Sequence, residues 1–179
     1  MLDRDRQNPP RVSLDDLTED QVLTVRKWFL DSDPATQTCQ PIALKTDEEV
    51  IWDFRERVED GRSRDFAINR LADNRLLGRI RYFNLNARNR SVEIGYLLSA
   101  EFRGQGYASE ALGLLLGHLF GERGLNKAYA QTGEFNTASI ALLERWGFRQ
   151  DARLRQHHEL EGTFYDDLIY SLLAEDYAG

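Results

Sequence analysis

Arg103-Gly104-Gln105-Gly106-Tyr107-Ala108 is the stretch whose residue types and spacing point most directly to chemistry. Before it, Ser91 to Leu98 alternates as a strand. After it, Ala108, Leu112, Leu115 and Leu119 form an apolar stripe, broadened by Ala111 and Leu116, which predicts a helix from Tyr107 to Phe120. A helix start carries N–H groups with no acceptor inside the helix and the positive end of the macrodipole. Two glycines let the backbone come close to an anion and adopt positive φ. Strand, glycine loop and helix together make a cradle for a pyrophosphate. Each exposed contact of this kind contributes about 0.3–1 kcal/mol, so several must act together.

Other reactive side chains are few. Asn136 and Ser139 stand three apart on a predicted helix and share a face. Glu93 and Glu159 are the candidate carboxylate bases, with Glu93 just ahead of the strand segment that leads into the glycine loop. Tyr165 and Tyr170 are reserve acids. His118 lies inside the long helix, and His157-His158 are adjacent in a strand and face opposite sides, so no metal pattern forms. The single cysteine, Cys39, excludes an internal disulfide, has no histidine near it in sequence and points to a reducing, cytoplasmic setting.

The elements that must hold these residues follow from periodicity. Arg11 to Leu14 reads as a strand and Asp20 to Leu30 as a helix with Val22, Val25 and Phe29 on one side. Thr46-Asp47-Glu48-Glu49 is a capping-box pattern. The helix behind it would turn Val50, Ile51, Phe54 and Val58 inward and stop at Gly61. Asp65 to Leu71 and Leu76 to Phe83 read as strands joined at Asp73-Asn74. Lys127 to Thr132 reads as a strand, Thr137 to Trp146 as a helix, and Arg149 to Glu159 with Thr163 to Leu173 as a hairpin. The order β-α-α-β-β-β-α-β-α-β-β is mixed α/β, not the regular alternation of a doubly wound sheet.

Composition narrows the function classes. At 179 residues one domain is expected, spanning residues 11–176 behind a flexible arm at residues 1–10. A formal net charge of −7 argues against nucleic acid and weakly favours a cationic substrate such as an amine. No apolar run approaches the roughly 20 residues of a membrane helix, and the first ten residues lack the apolar core of a secretory signal.

Arg103-x-x-Gly106-x-Ala108 resembles the acyl-CoA-binding signature of the GNAT superfamily of N-acetyltransferases. Glu93 to Leu98 and Gly106 to Leu112 are similar to the branch holding the bacterial ribosomal-protein N-terminal acetyltransferases and the spermidine acetyltransferase. Asn136 to Ser139, Glu144 to Phe148 and Gly162 to Leu172 resemble that branch's later segments. The resemblance implies a mostly antiparallel sheet flanked by helices, acetyl-CoA as co-substrate, a primary amine as acceptor, direct transfer in a ternary complex, no metal and a homodimer. It implies that Arg103, Gly104, Gln105, Gly106, Tyr107 and Ala108 hold the cofactor and that a backbone N–H at Leu97 or Leu98 meets the thioester oxygen. It further implies that Asn136 holds the pantetheine arm, Ser139 serves the sulfur and Glu159 is the base. A terminal amine is roughly one-seventh neutral at pH 7, so a weak base or a water chain would suffice. Two other readings stay open: an acyl-CoA binder without transfer activity, and a dinucleotide-binding protein, for which Gly104-x-Gly106 fits half a fingerprint but Ser109 stands at the third glycine.

Overall fold

The computed structural model describes residues 9–38 and 42–177. Cys39 and most of the expected arm lie outside the described residues. In chain order come β1 (Val12–Asp16), α1 (Glu19–Asp31), α2 (Asp47–Asp60), β2 (Arg64–Arg70), β3 (Arg75–Asn86), β4 (Ser91–Leu98), α3 (Tyr107–Leu116), β5 (Lys127–Gly133), α4 (Thr137–Arg145), β6 (Arg149–Leu160) and β7 (Thr163–Leu173). This is the order that the periodicity predicts. The strands form one sheet, β1-β2-β3-β4-β5-β7-β6. Every neighbouring pair is antiparallel except β4 with β5. The fold is mixed α/β, a mostly antiparallel sheet flanked by helices.

Local chemistry sets the helix ends. Thr18 and Gln21 close a capping box on α1, and Thr46 and Glu49 close one on α2. Gly61, at φ 66°, ends α2 in the left-handed region. Strand alternation then divides the core in two. Ile80, Tyr82, Val92, Ile94 and Leu98 pack with Leu112, Leu115 and Leu143 on the face covered by α3 and α4. On the other face, Ala67 and Leu97 pack with Val22 and Val25 of α1 and Phe54 of α2. Among the described residues no helix is long and apolar enough to cross a membrane.

Two local expectations are corrected. Val58 is 57% exposed rather than turned inward. Arg57, with its Nε buried, takes the inward position of the last turn of α2, and the next residue is rotated by about 100° away from it. The long helix also does not run uniformly to Phe120. It is α-helical to Leu116 and continues as a wider π turn over Gly117–Glu122, closed by an N–H of Arg123 donating to the His118 carbonyl at 3.0 Å. Gly117 and Gly121 lower the helix propensity there. The wide turn leaves Leu119 fully buried and lets Arg123 donate to the Tyr82 hydroxyl at 2.6 Å.

Candidate active site

β4 and β5 pair through three steps only, Ser91↔Lys127, Val92↔Ala128 and Glu93↔Tyr129. Beyond Glu93, β4 stays with β3 as far as Leu98 opposite Gly78, while β5 stays with β7. The sheet is therefore open between its two central strands. Peptide groups along a strand point alternately to either neighbour. Ser99 donates its N–H to Leu77 of β3 at 3.0 Å, which by alternation turns Leu97 toward β3 and Leu98 toward the gap. The Leu98 carbonyl accordingly accepts from Arg103 Nε at 3.1 Å. Gly78 makes the close approach of β3 to this end of β4 possible, because a Cβ there would lie 2.2 Å from the Leu97 carbonyl oxygen.

The same end of the gap receives the start of α3. Gly104 and Gly106 have φ of 73° and 86°, conformations that other residues adopt only under strain. A Cβ on Gly104 would meet nothing within 4 Å, so that side of the turn is open. Among the described residues, no acceptor takes the N–H groups of Gly104, Gln105, Gly106, Tyr107 or Ala108. The side chains of the loop fold back as braces. Arg103 bonds Leu98 and also reaches Ser32 Oγ, just past α1, at 3.2 Å; Gln105 donates to the Glu101 carbonyl at 2.8 Å. Tyr107 is buried, with its ring edge-on to Phe102. Arg11 fixes the turn from outside. It pairs with Glu110, donates to the Gln105 carbonyl at 3.1 Å and lies 4.7 Å over the Tyr107 ring.

α4 also begins here. Asn136 Oδ1 caps it by accepting the Ser139 N–H at 3.1 Å, so its side-chain oxygen holds the helix start while its Nδ2 has no partner among the described residues. Ser139 Oγ lies 2.7 Å from the Tyr96 hydroxyl. Tyr96 was not legible as a site residue: it is an ordinary inward strand position, and its partner stands 43 residues away. Burial pushes the Tyr96 phenol up to about 12, with the Ser139 hydrogen bond pulling the other way, so it keeps its proton at neutral pH. A folded-state pKa above the unfolded value near 10 stabilises the fold fully below pH 10, and that stabilisation is lost as pH rises toward 12. Its full size is of the order of 3 kcal/mol. Tyr96→Phe should flatten the fall in denaturant midpoint between pH 9.5 and 11.5; an unchanged slope would show that Tyr96 does not titrate in that window.

The carboxylates separate. Glu93 stands at the root of the gap, accepts from Asn84 Nδ2 at 2.9 Å and lies against Tyr129, whose phenol is raised by burial and then by the Glu93 charge. Glu159 is at the tip of the β6–β7 hairpin, exposed, accepting the N–H of Gly162. Tyr165 stacks edge-on with Phe135 at 5.3 Å. Tyr170 is buried and donates to Glu144 at 3.0 Å. His118 pairs with Glu122, and His157 is exposed. His158 is buried between Asp167, 3.1 Å from its Nδ1, and the Ala35 carbonyl at its Nε2, which ties the segment after α1 to the closing hairpin.

Comparison with known proteins agrees with this geometry. The model of the acetyltransferase (GNAT) domain family matches residues 11–149. The uncharacterized N-acetyltransferase p20 of Bacillus licheniformis is 30% identical over 170 residues, covering 88% of this chain and 96% of that protein. YdaF of Bacillus subtilis, named a putative ribosomal N-acetyltransferase, is 33% identical over 132 residues, 74% of this chain and 71% of its own. The spermidine N-acetyltransferase of Vibrio cholerae, solved with CoA and spermine, superposes with a TM-score of 0.87 over 96% of this chain and 100% of that one, at 18% identity, which speaks for the fold. An open central sheet, an uncapped glycine turn on α3 and a family match over most of the chain lead to one conclusion: this protein belongs to the GNAT acetyltransferase family and is an acyltransferase.

Proposed function

We propose that the chain transfers the acetyl group of acetyl-CoA to a primary amine, a peptide N-terminus or a small amine, by direct attack with both substrates bound. The observation that carries this reading is the row of backbone N–H groups from Gly104 to Ala108, which have no acceptors among the described residues, set beside the gap between β4 and β5. That row suits a diphosphate. Asn136 Nδ2, without a partner among the described residues, can meet the amides of the pantetheine arm. Of Leu97 and Leu98, the alternation favours the N–H of Leu98 as donor to the thioester oxygen. Such a donor supplies roughly 2.7–4 kcal/mol to a developing oxyanion.

In the step itself the amine nitrogen forms a bond to the acetyl carbon and the carbon–sulfur bond breaks. The amine proton leaves through water to a carboxylate. Glu93 is favoured over Glu159 for that task, because Glu93 faces the cleft from β4 while Glu159 closes a hairpin turn. The sulfur takes a proton or hydrogen bond from Ser139, which Tyr96 can replenish from 2.7 Å away. The CoA in the Vibrio cholerae relative supports the choice of donor.

Two measurements test this. Acetyl-CoA at about a hundred times its Kd should stabilise the fold by about 2.7 kcal/mol, seen as a rise in Tm that NAD does not produce. Thiol release should then require an amine, and Glu93→Gln should lower kcat/KM most at low pH. A Tm rise with NAD instead, or binding of acetyl-CoA without thiol release from any amine, would overturn the reading.

A further inference from the structure

The face of the sheet covered by α1 and α2 carries a concentration of positive charge inside an acidic chain. Alternation puts Asp65 of β2, Arg79 and Arg81 of β3, and Glu93, Gly95 and Leu97 of β4 on this face, with Arg57 of α2 above. Among the described residues Arg79 has one counterion, Asp65, at 3.4 Å, and its buried Nε has no partner. Arg57 Nε is likewise buried and has no partner among the described residues. Arg81 is half-buried, and among the described residues its guanidinium has no hydrogen-bond or ion-pair partner; it stacks over Phe83 at 4.2 Å. Burial first, and the Arg79 charge next, lower its pKa to about 10, so it is still a cation at neutral pH.

A half-buried guanidinium with no acceptor is costly unless something supplies one. Other described arginines and lysines without partners, such as Lys27 and Arg88, are exposed to water. Position adds the second point. Arg81 lies opposite Gly95, and its Nε is 3.8 Å from where a Gly95 Cβ would stand. The Arg81 side chain therefore lies beside β4 at the position between Glu93 and Leu97, where β5 has already parted from β4. Arg79 is opposite Leu97 itself. An amine that reaches the thioester from the α1–α2 side therefore passes these two guanidiniums.

Building on the acetyl-transfer reading above, we infer that Arg81, backed by Arg79, holds a carboxylate carried by the acceptor. The substrate amine then belongs to an amino acid or an acidic peptide and not to a polyamine. A guanidinium presents a planar fork that matches a carboxylate through two parallel hydrogen bonds. Around Arg81 itself a polyamine would meet the Arg79 and Arg57 charges, with only Asp65 and Glu93 to set against them, and Glu93 is engaged by Asn84; the further carboxylates of this side, Asp53, Glu56, Glu59 and Asp60, lie along α2 beside Arg57.

The test uses matched acceptors and acetyl-CoA: amino acids against their carboxamides, peptides with Asp as second residue against the same peptides with Asn, and spermidine. The wild-type protein should favour each acid over its amide at least tenfold in kcat/KM, with spermidine poorest. Arg81→Gln should bring the acid-to-amide ratio near one through KM for the acid, and Arg81→Lys should restore part of it. Equal use of acids and amides, preference for spermidine, or an unaltered ratio in Arg81→Gln would overturn the inference while leaving acetyl transfer intact. Thiol release from no acceptor at all would overturn both. The wild-type ratios decide the matter even if the variants fold poorly.

Discussion

Ser139→Ala is expected to lower kcat about a hundredfold while KM for acetyl-CoA changes less than threefold. Proton donation at a reacting group contributes about 10²–10⁴-fold, and the hydroxyl lost here is the one that Tyr96 meets at 2.7 Å. The low end of that range is expected because the Tyr96 phenol remains nearby and, being held protonated by burial, can stand in as donor. The fold should be untouched. What Asn136 accepts is the backbone N–H of residue 139, which alanine also provides. Tyr96→Phe alone should cost less, and the double variant should fall short of the product of the two, as expected of residues that share one proton path. Steady-state kinetics with saturating amine separates these outcomes. A loss of thermal stability with kcat preserved would make Ser139 a structural residue.

Gly78→Ala should destabilise the protein by about 3 kcal/mol, the upper part of the range for overfilling a packed site. A Cβ at this position would lie 2.2 Å from the Leu97 carbonyl oxygen, 2.7 Å from Leu98 Cδ2 and 3.0 Å from Leu98 Cα. Two of the three obstacles are backbone, which no rotamer change can move. β4 must shift at the segment that carries the proposed oxyanion donor, so acetyl-CoA binding should weaken at temperatures where the variant is still folded. Gly95→Ala is the internal comparison. Its Cβ would meet only the Phe83 ring at 3.5 Å and Arg81 at 3.8 Å, ordinary contact distances. Urea midpoints and acetyl-CoA titration of both variants check the pair. A Gly78→Ala protein within about 0.5 kcal/mol of the parent would show that the strands can part without cost.

Residues that act through their neighbours in sequence were legible, and residues that act through distant neighbours were not. The capping box at Thr46 and Glu49, the strand Ser91–Leu98 and the turn Gly104 to Ala108 are local events, and each stands where its pattern puts it. Gly78 looks like any strand glycine until the facing strand is known. Arg79-Ile80-Arg81-Tyr82 alternates as a strand with one wet face would; α1 and α2 cover that face, a fact that no periodicity within β3 contains. Val58 failed for a related reason. Its spacing from Phe54 suits the inner side, but Arg57 takes that place. Glu93 and Glu159 were both candidate carboxylates, with Glu159 named the base by resemblance; the register of β4 with β5 puts Glu93 at the gap, whereas Glu159 accepts from Gly162 in the hairpin turn.

Arg103 joins parts of the molecule that do different jobs. Its Nε holds the end of the central strand and its Nη2 holds Ser32, which closes the first helix and opens the segment reaching Ala35 and His158. The turn that follows Arg103 is therefore tied to the end of α1. One planar guanidinium thus spans the end of β4 and the end of α1, and the planarity of that group fixes the angle between its two bonds.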